Sequence, residues 1–326
     1  MTRVLVVGAG AVGARAARHL AAAGVEVVVH DIRQERAASV AAALGLPAQV
    51  SVSGDEPCDV AVLAVPSGAH DRRAAGLIRR GIAVVSTGDA IADVRGLLDL
   101  DAEATERGVT VVAGAAFSPG LSCLLAAHAA GTFDRVDEVH VARVGTGGPA
   151  CARQHHAALS GATLDWRDGG WVHRPSGSGR ELGWFPDPIG GRDCYRAALP
   201  DPLLLVRAFP EAERVTARLA ANRRDRLTAR FPMLRPPHPE GGPGAVRVEV
   251  RGGRGGARTV LVYGAMDVPA TAAGAVAAEA ALAVAAGAIP VGVHGLAEVP
   301  DPLPLLRELA RHGIKAATFT GEHVTS

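Results

Sequence analysis

Gly8, Gly10 and Gly13 are spaced as G-x-G-x-x-G, directly after the apolar run Val4–Val7 and directly before Ala14–Leu20. At such a site the backbone does the chemistry. The first glycine permits a tight turn, the second lets the chain approach a pyrophosphate, and the third lets a helix pack closely on the preceding strand. The free N–H groups and positive dipole end of that helix attract phosphate. Gly24 then reads as a helix stop and Val25–His30 as a second strand. Asp31 stands at the carboxyl end of that strand, where an acid meets the 2′-OH of an adenosine ribose. The residues expected to touch a dinucleotide are Gly8, Gly10, Ala11, Val12 and Gly13 at the turn, and Asp31, Ile32 and Arg33 after the second strand. Ala64, Val65, Pro66 and Ser67 join them from the end of the strand at 59–66, Thr87 and Gly88 from the strand at 81–87, and Ser118 and Pro119 from the point where the pattern breaks. A carboxylate at Asp31 bonds a 2′-OH and repels a 2′-phosphate, which favours NAD(H). Arg33 and Arg36 would offset part of that repulsion, so NADP(H) stays possible.

Groups able to move a proton are scarce. Lys315 is the single lysine, and neither Tyr195 nor Tyr263 has a lysine four residues later, which excludes a Tyr-x-x-x-Lys dyad. Cys58, Cys123, Cys151 and Cys194 show neither C-x-x-C nor zinc spacing, so they read as idle or buried thiols in a reducing compartment, and no metal is expected. His155 and His156, following Arg153, are the first acid–base candidates; neighbours on a helix point about 100° apart, so at most one faces a cleft. Asp193 and Tyr195, after the turn Ile189–Gly191, form a second catalytic candidate. Arg192 beside them, like Arg153, suits bidentate capture of a substrate carboxylate, and Trp184 and Phe117 are the aromatic candidates for substrate contact. Each polar group also has a structural reading: both histidines at the surface, or Arg192 and Asp193 tying a loop by an ion pair. The arginines from Arg214 to Arg230 read as the solvated face of a helix.

Positioning these residues takes a sheet. Apolar strands at 4–7, 25–30, 48–52, 59–66, 81–87 and 108–114 alternate with helices at 14–20, 34–44, 69–80 and 94–107, with a stop at Gly45-Leu46-Pro47. This is the signature of an α/β doubly wound parallel sheet, whose ligands bind outside the carboxyl ends of the strands. Phe117–Leu121 breaks the alternation and leads into a helix at 122–130. From Val136 the texture is that of an α+β domain with a mixed sheet: a strand at 136–144, a helix at 153–160, a helix at 212–230, a loop at 235–243 and strands at 246–251 and 259–263. Asp267 is expected to cap an Ala-rich helix at 270–286, followed by a strand at 289–293, a helix at 303–311 and a strand at 316–319 that fold back on the first sheet. The expected divisions are thus 1–121 (Rossmann), 122–264 (substrate binding and dimerisation) and 265–326 (return to the Rossmann sheet).

Composition bounds the partners. Thirty-four Lys plus Arg against 33 Asp plus Glu leave a formal charge of +1, with no general attraction for nucleic acid or an anionic membrane. The stretch Ala272–Ile289 is mostly alanine but carries Glu279, Gly274 and Gly287, which suits a buried or interface helix rather than a span. The chain enters a strand at once, so no signal peptide is visible, and a cytoplasmic homodimer acting on a small molecule is expected.

Three stretches resemble the saccharopine dehydrogenase-like family, which includes saccharopine reductases and carboxynorspermidine dehydrogenases: the glycine turn, Val111–Ser122 with its Ser118-Pro119-Gly120-Leu121 core, and Gly264–Val293 ending in Gly287-Ala288-Ile289-Pro290-Val291-Gly292-Val293. The chain departs from that family after Gly292, where His294-Gly295-Leu296-Ala297-Glu298 replaces the usual Pro-Glu pair. The Glu-Lys-Pro motif of glucose–fructose oxidoreductase-type sugar dehydrogenases is missing; that strand ends Val85-Ser86-Thr87-Gly88-Asp89. The resemblance implies an NAD(P)-dependent oxidoreductase moving hydride to or from the C–N bond of an amino acid-derived imine or secondary amine. An iminium is already cationic, so its reduction asks mainly for binding, orientation and a dry pocket. The alternatives are a carbonyl or alcohol dehydrogenase resembling homoserine dehydrogenase, and a non-catalytic dinucleotide-binding regulator.

Overall fold

The computed structural model describes residues 2–45, 48–233, 237–239 and 241–319. The helix stop at Leu46-Pro47, and Arg235, Pro236 and Glu240 of the expected loop, lie outside the described residues. The chain folds as an α/β protein with a seven-stranded parallel sheet and a second, mixed sheet. The first half supplies β1 (Arg3–Val7), α1 (Ala11–Ala22), β2 (Glu26–His30), α2 (Gln34–Leu44), β3 (Ala48–Ser51), β4 (Val60–Leu63), α3 (His70–Ile78), β5 (Ala83–Ser86), α4 (Ile91–Leu98), α5 (Asp101–Glu106) and β6 (Thr110–Ala113). These strands run in the order β6-β5-β4-β1-β2-β3. Val4, Leu5, Val6, Val60–Leu63, Val84, Val85, Val111 and Val112 are buried on both faces of this layer, as continuous apolar strands require. The single helix expected at 94–107 is two. Asp101 opens the second, where a carboxylate is favoured at a helix N-terminus.

The second sheet follows. Its elements are α6 (Leu121–Ala130), β7 (Arg135–Val144), α7 (Pro149–Ala158), β8 (Asp165–Arg167), β9 (Gly170–Val172), β10 (Glu181–Phe185), β11 (Gly190–Arg196), α8 (Asp201–Ala208), β12 (Arg214–Ala220), α9 (Arg223–Thr228), β13 (Gly244–Arg254) and β14 (Ala257–Asp267). The order is β10-β11-β12-β7-β13-β14, with β12 parallel to β7 and its other main pairings antiparallel. The helix expected at 212–230 is instead the strand β12 followed by the short helix α9. Val215, Ala217 and Leu219 alternate into the core, and Arg218, only 8% exposed, is neutralised by Glu181 at 2.6 Å, so these arginines are not one solvated helix face.

The last elements are α10 (Pro269–Ala285), β15 (Gly292–Gly295), α11 (Leu303–Arg311) and β16 (Lys315–Thr318). β15 pairs in parallel with β6 and so completes the first sheet, while β16 extends the second beside β14. The strand starts at Gly292 rather than 289 because Pro290 has no N–H for the ladder. α10 is almost wholly buried and packs on α1 at Gly274, where a Cβ would meet Arg15 Cβ at 2.6 Å. Asp267 does not cap α10. Its carboxylate accepts from the Val268 N–H next to it, and Pro269 opens the helix.

α1, α10 and α11 meet at a polar joint. The His19 ring lies edge-on to His312 with centroids 4.3 Å apart, and His312 Nε2 is 2.8 Å from Glu279 Oε1. Burial, with the His312 and Arg18 charges, lowers the His19 pKa to about 4. The unfolded chain therefore takes up a proton near pH 6.5 that the folded chain refuses until about pH 4, so this part of the stability is present above pH 6.5 and lost as pH falls through that window. A thermal-unfolding series from pH 7 to pH 4 should show a steeper loss of Tm for the wild type than for His19→Phe; equal slopes would remove His19 from the account. Among the described residues, no helix is long and apolar enough to cross a membrane.

Candidate active site

A cleft of about 760 Å³ runs along the carboxyl ends of β1, β2, β4 and β5 and is closed on its far side by β7 and the start of α7. At one end is the glycine turn. Gly8 has φ +105°, and a Cβ there would lie 2.3 Å from Ala64 O, so both conformation and space demand glycine. Gly13 lies behind the cleft, where a Cβ would strike Gly8 O at 1.7 Å. Gly10 differs: nothing lies within 4 Å of where its Cβ would be, and that space belongs to the cleft. Gly10 is also the N-cap of α1 and offers no side chain to the first amides; the first intrahelical bond is Ala14 N–H to Gly10 O, 3.0 Å. Free amides facing a gap that a side chain would fill fit a pyrophosphate.

Asp31 is built into the turn. Its Oδ2 accepts from the Ala9 N–H and its Oδ1 from the Arg33 N–H, both at 2.8 Å. Ile32 beside it is 85% exposed, an apolar surface suited to a base, and Arg18, Arg33 and Arg36 surround this end of the cleft. The 64–68 turn is fixed from below. His70 Nε2–H donates to Val65 O at 3.0 Å, the Ser86 hydroxyl sits 2.8 Å from His70 Nδ1, and the Asp93 carboxylate accepts from the Gly68 and His70 amides. Burial holds His70 below the usual histidine range, which suits its neutral role as a strut.

At the other end four chemically active side chains converge. Asp89 comes from just past β5, Arg143 from β7, and Cys151 and His155 from one face of α7. His155 Nε2 is 3.3 Å from Asp89 Oδ2 and 3.3 Å from Cys151 Sγ, and Sγ is 3.7 Å from the same carboxylate oxygen. The Arg143 guanidinium touches both His155 Nε2 and Ser118 O. Burial alone would raise the Asp89 pKa, but the His155 hydrogen bond and the His155 and Arg143 charges outweigh it and hold the carboxyl below its usual range. His155 is pushed down by burial and by Arg143, yet Cys151 and Asp89 leave it above the ordinary histidine value. Both directions favour the charged forms of one pair, the Asp89 carboxylate and the His155 imidazolium. Beneath it, Ser118 and Ser122 hydroxyls donate to Asp201 Oδ1, each at 2.7 Å, and burial raises the Asp201 pKa. Asp89, Cys151 and His155 bring ligand atoms within 4.8 Å of one another, a spacing a metal ion can use, but the guanidinium beside Nε2 repels a cation and suits the cluster better to protons.

Gly8, Gly10, Ala11, Val12, Asp31, Ile32, Arg33, Ala64, Val65, Pro66, Ser67, Thr87, Phe117, Ser118 and Arg153 line this cleft. Gly13, Gly88 and Pro119 lie behind its wall. Of the two histidines, His155 joins the ion cluster, and His156 turns away to the carbonyls of Thr228 and Phe231, 3.0 Å from each. The group around β11 lies elsewhere. Asp193 pairs with Arg180 at 2.9 Å, Tyr195 is buried beneath Arg226 at 4.0 Å, Arg192 donates to Gly191 O, and Trp184 is 60% exposed on β10. These strands form the edge of the second sheet beyond β12, while the cleft borders β7. The sequence places the strand end Thr87-Gly88-Asp89 at the cleft but assigns no role to Asp89 or Arg143, and Cys151, read as an idle or buried thiol, instead joins the cluster. The Cys151–His155 spacing of four residues, one helical turn, was the available signal.

Residues 2–115 match an oxidoreductase family with an NAD-binding Rossmann fold. No curated protein matches the chain. Among solved structures, apo saccharopine dehydrogenase (L-Glu forming) from Saccharomyces cerevisiae is similar over 98% of this chain and 100% of that one, with 17% identity and a TM-score of 0.70. A probable dehydrogenase from Thermotoga maritima is similar over 97% of this chain and 98% of that one, with 11% identity and a TM-score of 0.50. At such identities the likeness is one of fold: a Rossmann sheet joined to a mixed sheet.

Proposed function

We propose that the protein is an NAD(P)-dependent oxidoreductase acting on the C–N bond of an amino acid-derived imine or secondary amine. The observation that carries this is the placement of an ionised Asp89–His155 pair and the Arg143 guanidinium at one end of a cleft whose other end is a dinucleotide-type glycine turn. The amides of Ala11–Gly13 would hold the pyrophosphate, Asp31 the ribose, and Ala64–Ser67 and Thr87 the nicotinamide half. When bound, that cofactor supplies or accepts the hydride. The chain does the rest. Asp89 stabilises a cationic nitrogen, as an iminium or ammonium requires. His155 holds the proton that the amine gains or loses. Arg143 and Arg153 offer positive charge to a substrate carboxylate.

NAD(H) is the favoured cofactor because Asp31 faces the ribose end. Asp31→Ala should shift the ratio of NADPH to NADH dissociation constants about tenfold toward NADPH, the effect of removing one repulsive charge among Arg18, Arg33 and Arg36. Equal affinity for the two cofactors in the wild type would contradict this role. The reaction itself is tested by a screen of carbonyl–amine pairs followed through NADH oxidation. Turnover that requires both partners supports the C–N reading; turnover with the carbonyl alone would move the reaction to an alcohol.

A further inference from the structure

Arg153 is part of the cleft lining. The same side chain lines a second cavity of about 400 Å³, whose remaining walls include Ala157 on α7 and Ala229, Phe231, Pro232 and Met233 beyond α9. These walls are held in place from below. An Asn222–Asp225 capping box opens α9, Arg226 donates to Gly177 O at 2.8 Å and stacks on Tyr195, and His156 Nε2 reaches the carbonyls of Thr228 and Phe231. Yet the large apolar side chains they carry are left open: Phe231 is 64% exposed and Met233 37%. The charges at the cavity are Arg153 and Arg230, with no carboxylate among the described lining residues.

We infer that this cavity receives an apolar arm of the substrate, with the substrate's carboxylate held at the junction by Arg153. The inference rests on the reading of the cleft as a site for a carboxylate-bearing amine or imine, and narrows that class to substrates with a bulky aliphatic or aromatic substituent. Three features support it. The cavity adjoins the cleft at Arg153, which lines both, its charge complements a carboxylate, and its walls offer apolar surface that a hydrocarbon would take out of water. The role of His156 follows: it is a positioning residue that anchors the cavity wall.

The test uses the full-length protein and the fluorescent anion 8-anilinonaphthalene-1-sulfonate, which combines an aromatic body with a negative charge. The wild type should bind one equivalent. Octanoate should displace it at least tenfold more tightly than butyrate, since each buried methylene adds about three- to fourfold. Ala157 is exposed on α7, so Ala157→Trp fills the cavity without disturbing a core. It should weaken dye binding about tenfold, as should Arg153→Glu, with NADH binding unchanged in Ala157→Trp as the control for folding. Absence of dye binding, displacement independent of chain length, or dye binding unaffected by Ala157→Trp would each overturn the inference. Failure of NADH to bind the wild type would instead remove the oxidoreductase reading, and the dye result would still decide the cavity.

Discussion

Asp89→Asn should lower kcat/KM about 10²- to 10³-fold while leaving the NADH dissociation constant within about twofold, the size of effect expected when an acid–base group loses its partner. The substitution keeps shape and removes charge. In the proposed reaction Asp89 does two things: it faces a cationic substrate nitrogen, and its charge favours the protonated form of His155, 3.3 Å away. Both depend on the carboxylate being ionised, which the neighbouring His155 and Arg143 ensure. The pH profile carries the sign. Asp89 and Cys151 together hold His155 above its ordinary pKa. Losing Asp89 must lower it, so the limb of the activity profile that follows the imidazolium should move to lower pH in Asp89→Asn. An unshifted limb, or turnover near wild type, would show that the pair takes no part in the proton step.

Arg143→Met should destabilise the fold by about 3–5 kcal/mol in urea unfolding, the range for removing one partner from a buried ionic cluster. Arg143 is 1% exposed. Its guanidinium meets Ser118 O and His155, and its charge acts on both Asp89 and Asp201. Methionine fills similar volume but leaves Asp201 without a cation and Asp89 with His155 alone. Asp201 is the more exacting of the two, because it is fully buried and its Oδ2 has no hydrogen-bond partner among the described residues. Adding Asp201→Asn to Arg143→Met should therefore recover part of the loss, at least about 1 kcal/mol, whereas additive losses would mean that the two charges are not coupled.

The glycine turn was legible in the sequence because its three glycines answer to local demands: φ +105° at Gly8, a backbone oxygen 1.7 Å from a Cβ at Gly13 and ligand space at Gly10. The parallel strands were legible because burial on both faces leaves an unbroken apolar run. β12 was not. Arg214, Arg218, Arg223, Arg226 and Arg230 recur like one helical stripe, and only the fold supplies Glu181 to neutralise Arg218 inside a sheet. The ion cluster shows the same limit. Cys151 and His155 sit one turn apart on α7, but Asp89 is 62 residues before Cys151 and Arg143 reaches them from another strand. Arg192, Asp193 and Tyr195 looked like a site because they are neighbours in the chain. Sheet order places them two strands away from β7.

The most direct test of the dinucleotide site is a fluorescence titration with NADH of the wild type and Gly10→Val. Nothing in the protein lies within 4 Å of a Cβ at Gly10, so valine there leaves the fold intact and occupies the space assigned to the pyrophosphate. Saturable micromolar binding to the wild type, lost in Gly10→Val with unchanged thermal stability, is the predicted result. Absence of binding to the wild type, or equal binding by the variant, would contradict it.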